Sequence, residues 1–162
     1  MELLWCQYVD EDLEPAFLVG SDDSMRTLGG CSLKRPDRLY ASIGLVEVDE
    51  CDEHQHRGRD NYSCEEQRIS ELYDEPSIVG KKMVVIRWNP HTYTPPKGYQ
   101  KYTLDERMEM MVAMKKAIRT NPPKAKITVL YMFYDADNPN ITQRLPRHMI
   151  NSMADIARVT LG

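Results

Sequence analysis

The apolar positions of this chain change period several times, and each change marks an element. Lys126–Tyr134 (Lys-Ile-Thr-Val-Leu-Tyr-Met-Phe-Tyr) and Lys82–Trp88 (Lys-Met-Val-Val-Ile-Arg-Trp) are near-continuous apolar runs bounded by proline or asparagine, the signature of strands buried on both faces. Arg38–Ile43 and Leu45–Cys51 read as two further strands joined by a turn at Gly44, the second apolar at its start and acidic at its end. Ala16–Val19 reads as a short strand, and residues 1–14 as a short amphipathic helix with Leu3, Leu4, Tyr8 and Val9 on one side.

Helical spacing appears in three other places. Asn61–Asp74 carries Ile69, Leu72 and Tyr73 on one stripe behind Ser63-x-x-Glu66, a capping box. Thr103-x-x-Glu106 opens a longer helix with Leu104, Met108, Met111, Val112 and Ile118 inward, stopping at Thr120-Asn121-Pro122-Pro123. Pro146 suits the first turn of a last helix, 146–159, with Met149, Ile150, Met153 and Ile156 inward. Early strands that can pair as a hairpin, followed by strands alternating with helices, predict an α/β sandwich around a mixed sheet.

Composition sets outer limits. A chain of 162 residues suits a single domain with a real core, taken here as residues 1–162. A 41% hydrophobic and 28% charged content is ordinary for a soluble globular protein. Without an apolar run of membrane-spanning length or a basic leader followed by an apolar stretch, the expectation is an intracellular protein with no membrane partner. Cys6, Cys31, Cys51 and Cys64 form no CxxC pair and read as thiols or metal ligands rather than a disulfide framework. The net charge of −4 hides an asymmetry: residues 1–75 hold 19 acidic and 7 basic side chains, residues 76–162 hold 6 and 14. An acidic site beside a basic half suits a protein that grips phosphates while gathering cations.

The acidic side chains are concentrated. Asp37, Glu47, Asp49, Glu50, Asp52, Glu53, His54 and His56 fall within twenty residues. Their mutual repulsion is relieved by a divalent cation, which converts it into coordination. Residues two apart on a strand share a face, so Glu50 and Asp52 point one way and Glu47 and Asp49 the other. Asp37, at the base of the preceding strand, can meet the first pair, giving a cage of Asp37, Glu50 and Asp52 for Mg²⁺ or Mn²⁺. His56 could take a proton from water, Gln55 could orient that water, and Lys34 and Arg35 could bind a phosphate backbone. Zinc ranks behind magnesium: Cys51, His54, His56 and Cys64 offer suitable atoms at an uncommon spacing.

The ordered set Arg35-Pro36-Asp37, Glu50-x-Asp52-Glu53-x-Gln55-His56, Cys64-Glu65-x-x-Arg68 and Val84-Val85-Ile86-Arg87-Trp88-Asn89-Pro90, with Leu130–Asp135 as a last strand, resembles a group of proteins from giant DNA viruses and algae. That group is similar to the PD-(D/E)xK nuclease superfamily, in particular its histidine-containing branch with the very-short-patch repair endonucleases. The resemblance covers about residues 34–135, the core in that reading. It implies a restriction-endonuclease-like three-layer sandwich and Mg²⁺-dependent DNA cleavage, in settings such as repair, homing or viral genome processing. On that mapping Asp37, Glu50, Asp52, Gln55 and His56 are catalytic, the first three also hold metal, and Lys34, Arg35, Arg57 and Arg68 contact DNA. Asp52 stands where the motif's lysine usually is, and Glu47-Val48-Asp49 repeats the acidic pattern three residues earlier. A catalytically degenerate fold acting as a DNA-binding or interaction module is the alternative. A homodimer with the last helix at its interface is a candidate assembly.

Overall fold

The computed structural model describes residues 18–21, 36–52, 55, 62–76, 78–138, 141 and 144–161. Its centre is β3 (Leu45–Cys51), buried from Leu45 through Glu50. Such a strand must be covered on both sides, and it is. On one edge it pairs antiparallel with β2 (Arg38–Ala41), which pairs in turn with β1 (Leu18–Ser21). On the other edge three parallel strands follow in chain order: β4 (Lys82–Trp88), β5 (Ile127–Met132) and β6 (Arg147–Ile150). The result is a six-stranded mixed sheet in the order β1-β2-β3-β4-β5-β6.

Three helices among the described residues cover the sheet. Helix α1 (Tyr62–Tyr73) places Ile69 and Leu72 against Val46, Val48, Val85 and Tyr131 on one face. On the other, α2 (Leu104–Thr120) brings Met110, Met111, Met114 and Ile118 onto Val84, Ile86, Leu130 and Met132, joined by Ile156 and Val159 of α3 (Met153–Leu161). Two apolar layers thus flank the sheet, and the architecture is α/β in three layers.

Local chemistry accounts for the boundaries. The Thr103 hydroxyl accepts from the Glu106 amide while the Glu106 carboxylate accepts from the Thr103 amide, so the expected capping box opens α2. The turn between β2 and β3 runs through Ser42-Ile43-Gly44, where φ of +141° at Gly44 is open to glycine and strained for other residues. The C-terminal expectation is corrected. Residues 147–150 are not helical but form an edge strand, and the last helix starts only at Met153. Asp155 there accepts from Ser152 and from the Asn151 amide, which fixes the true helix start. The helix read over residues 1–14 lies outside the described residues.

One backbone departure shapes the site. Phe133, just after β5, has φ of +62°, the left-handed region that a bulky side chain adopts at a cost of about 1–3 kcal/mol. It breaks the alternation of faces: Met132 and Phe133 both enter the α2-side core, and Tyr134 is returned to the α1 side.

Candidate metal centre on the α1 side of β3

Arg38 stands opposite Asp49 in the β2–β3 ladder, so Asp37 comes level with Glu50 at the carboxyl end of β3. The Asp37 carboxylate also accepts the Cys51 amide at 2.6 Å, which ties the start of β2 to the end of β3. Glu50 accepts from Arg68 of α1 at 2.6 Å, with side-chain exposures of 12% and 20% for the acid and the base. Burial pushes the Glu50 carboxyl up to about 8. Arg68 and Arg87 oppose that rise, and the neighbouring charges of Asp37 and Asp52 add to it. Asp37, Glu50 and Asp52 therefore act on one another electrostatically, as the side-by-side placement of Glu50 and Asp52 on a strand requires.

Asp52 has a different job from the one expected of it. Its two oxygens receive the Arg87 guanidinium, at 2.5 Å from Nε and 2.9 Å from Nη2, and one also accepts the Tyr134 hydroxyl. Arg87 is the register partner of Glu50 in the parallel β3–β4 ladder, so Asp52 holds a buried cation beside Glu50. Among the described residues no group of three His, Cys, Asp or Glu side chains is arranged to hold a metal ion. The donor set that remains, Asp37 and Glu50, still suits Mg²⁺, which is commonly held by one or two carboxylates and completed by water and substrate phosphate.

Gln55 also differs from its expected role. Its side-chain oxygen accepts from the Asp135 amide at 2.8 Å and from Asn138, its amide donates to the Asp135 carboxylate at 3.1 Å, and its main-chain oxygen accepts from Asn138. Asp135 also accepts the Thr94 amide. Gln55 thus stitches together the segments that follow β3, β4 and β5. Arg107 of α2 braces the same end, donating to the carbonyls of Asn89, Pro90 and His91 amid the rings of Trp88, Tyr93 and Phe133. His56, Lys34, Arg35 and Arg57, with Glu53 and His54, lie outside the described residues. Cys51 lies on the α2 side, packed against apolar neighbours. The zinc set's His54 and His56 fall outside the described residues, as does the side chain of Cys64.

The alternative register, Glu47 and Asp49, occupies the opposite face and is closed. Glu47 accepts two bonds from Arg119 at 2.5 and 3.0 Å, and Lys115 reaches both Glu47, at 3.1 Å, and Asp49. Lys115 is fully buried with its ammonium 3.8 Å from the centre of the Tyr40 ring. Burial raises the Asp49 carboxyl to about 6 despite Lys115, and its Oδ1 has no hydrogen-bond partner. The Glu47, Asp49 and Lys115 side chains are buried, at 3%, 0% and 0% exposure.

Lys115, Arg119, Arg87 and Tyr134 were not among the expected site residues. Two of them left a trace in the sequence. Arg87 interrupts an otherwise apolar strand, and Lys115 sits on the inward stripe of its helix between Met111 and Ile118; a cation in either place demands an acidic partner.

No protein-family model matches the chain, and no curated protein and no solved structure matches it. No helix among the described residues is long and apolar enough to cross a membrane.

Proposed function

We propose that the protein is a metal-dependent nuclease of the PD-(D/E)xK type acting on DNA, with a restriction-endonuclease-like fold. One observation carries the reading: Asp37 and Glu50 come level across an antiparallel hairpin, at the carboxyl end of a buried strand whose other neighbour, β4, is parallel. Asp37 and Glu50 would hold the cation. When bound, Mg²⁺ or Mn²⁺ neutralises phosphate charge and lowers the pKa of a water. Arg68, beside Glu50 and partly exposed, would meet a backbone phosphate. Asp52 and Tyr134 fix Arg87, whose charge eases the ionisation of Glu50. His56 remains the expected general base.

Plasmid nicking in Mg²⁺ and in Mn²⁺, with Asp37→Ala and Glu50→Gln beside the parent, tests this directly. Metal-dependent nicking lost in both variants supports it; no nicking by the parent sinks it. A second reading, a degenerate nuclease fold kept as a DNA-binding module, is favoured by Arg68 and Arg87 neutralising Glu50 and Asp52. It expects DNA binding without cleavage.

A further inference from the structure

The end of the sheet opposite the candidate centre gathers cations that pair with no carboxylate among the described residues. Lys82 opens β4, and its amide donates to the Gly44 carbonyl at the β2–β3 turn. Its ammonium donates to the carbonyl of Pro122, in the loop between α2 and β5. Met83 donates to the carbonyl of Lys126, so Lys126 adjoins Lys82 across the entry to β4 and β5. Lys81 precedes Lys82, and Lys124 lies two residues before Lys126 on the same loop. Lys124 and Lys126 are exposed and Lys81 and Lys82 half-buried. Among the described residues no ion pair involves any of these four lysines, whereas Glu47, Asp49, Glu50 and Asp52 are each matched to a base. From Met110 to Tyr134 the chain holds no acidic residue at all. Asp74 and Glu75, in the turn after α1, are the acids nearest in sequence to this end. Between the β2–β3 turn and Lys82 lies a concavity of about 630 Å³, lined by Ser42, Ile43, Gly44, Lys82, Arg119 and Pro122.

Four neighbouring ammonium groups without an acidic partner among the described residues repel one another, and a polyanion removes that repulsion while releasing its own counterions. We infer that this end of the sheet, with Lys81, Lys82, Lys124 and Lys126, is a second contact surface for a nucleic-acid phosphate backbone, remote from the acidic centre. The choice of nucleic acid as the polyanion rests on the proposed function. Lys82 and Trp88 end a seven-residue strand, so the two surfaces are about 20 Å apart at about 3.3 Å per residue. That is roughly six base pairs of a duplex at about 3.4 Å per step. The basic surface would therefore grip the backbone about that far from the cleavage point and leave the acidic centre clear for metal.

The test uses the full chain and a labelled duplex of about 20 base pairs, with binding read by anisotropy over a series of salt concentrations. The probe variant is the triple substitution Lys81→Gln, Lys124→Gln and Lys126→Gln, checked by circular dichroism for an unchanged fold. It is expected to bind at least about tenfold more weakly at low salt, with the slope of log K against log salt flattened by about three. Equal affinity and slope in parent and variant overturn the inference, as does a parent that binds anionic vesicles or an acidic peptide more tightly than the duplex. Failure of the nuclease reading looks different: the parent fails to nick in either metal while the salt-dependent binding and its loss in the triple variant persist.

Discussion

Tyr134 donates its hydroxyl to Asp52 because Phe133, the residue before it, takes a left-handed backbone that turns Tyr134 across the sheet. The bond links residues 82 apart and completes the cage around a carboxylate already holding Arg87. A hydrogen bond to a charged, buried group contributes about 1.5–3 kcal/mol. Tyr134→Phe, which keeps the ring, is expected to lower the unfolding free energy by about that amount in urea titrations. An unchanged midpoint would show that the hydroxyl does not hold Asp52.

Asp52 itself is the more severe site. Removing one partner of a buried ion pair leaves an uncompensated charge and costs about 3–5 kcal/mol. Asp52→Ala should therefore impair folding as well as any activity, whereas an isolated metal ligand would have lost activity alone. Replacing both partners, Asp52→Leu with Arg87→Met, is expected to recover much of the stability. Calorimetric melting of the single and double variants decides between these roles.

Lys115 sets a parallel case on the other face. It is fully buried between Glu47 and Asp49, so Lys115→Met strands Asp49 in the core and leaves Glu47 to Arg119. A loss of about 3–5 kcal/mol is expected, by the same argument as for Asp52. Glu47→Ala should also destabilise the fold, since it unpairs Arg119 and removes one of the two acids that hold Lys115. If Lys115→Met melts with the parent, the cluster is not the structural brace its geometry implies.

Acidity has a definite sign here. The Glu50 carboxyl, ordinarily near 4.5, is held up to about 8 in the folded chain, chiefly by burial. The folded form thus binds this proton more tightly than the unfolded one, and stability falls as pH rises from 4.5 to about 8. Asp49, raised from 3.8 to about 6, adds a fall of the same sign at lower pH. Above pH about 6 only the Glu50 contribution remains of these two, so Glu50→Gln should flatten the decline between about 6 and 8.5 in metal-free urea titrations. A parent and a variant with parallel profiles in that range would refute the assignment.

Metal binding should follow the same proton. If Asp37 and Glu50 hold a divalent cation, the Glu50 carboxyl must ionise, and binding near pH 7 should release about one proton. Titration calorimetry with Mn²⁺ in two buffers of different ionisation heat measures that release. Binding with no proton release would move the metal away from Glu50.

Much of the fold could be read from periodicity, because buried strands and amphipathic helices advertise themselves in short windows. The runs at 82–88 and 126–134 and the capping box at Thr103 became β4, β5 and the start of α2 almost as drawn. The segment Arg147–Ile150 did not, because Met149, Ile150, Met153 and Ile156 have helical spacing and a four-residue edge strand is fixed by its neighbour β5 rather than by its own pattern. The candidate centre divided in the same way. Strand parity placed Glu50 and Asp52 on one face and Glu47 and Asp49 on the other, since that follows from local geometry. The partners of those acids come from α1, β4 and α2, and no local window contains them.

Those distant partners constrain how the molecule can be born. The acids of β3 are answered by Arg68, Arg87, Lys115 and Arg119, in order of increasing remoteness along the chain. A nascent polypeptide that has emerged only as far as Thr103 lacks α2 and would present Glu47 and Asp49 to an unfinished interior. Truncations ending there should stay unfolded, and on the ribosome residues 1–103 must wait for α2 before they become native.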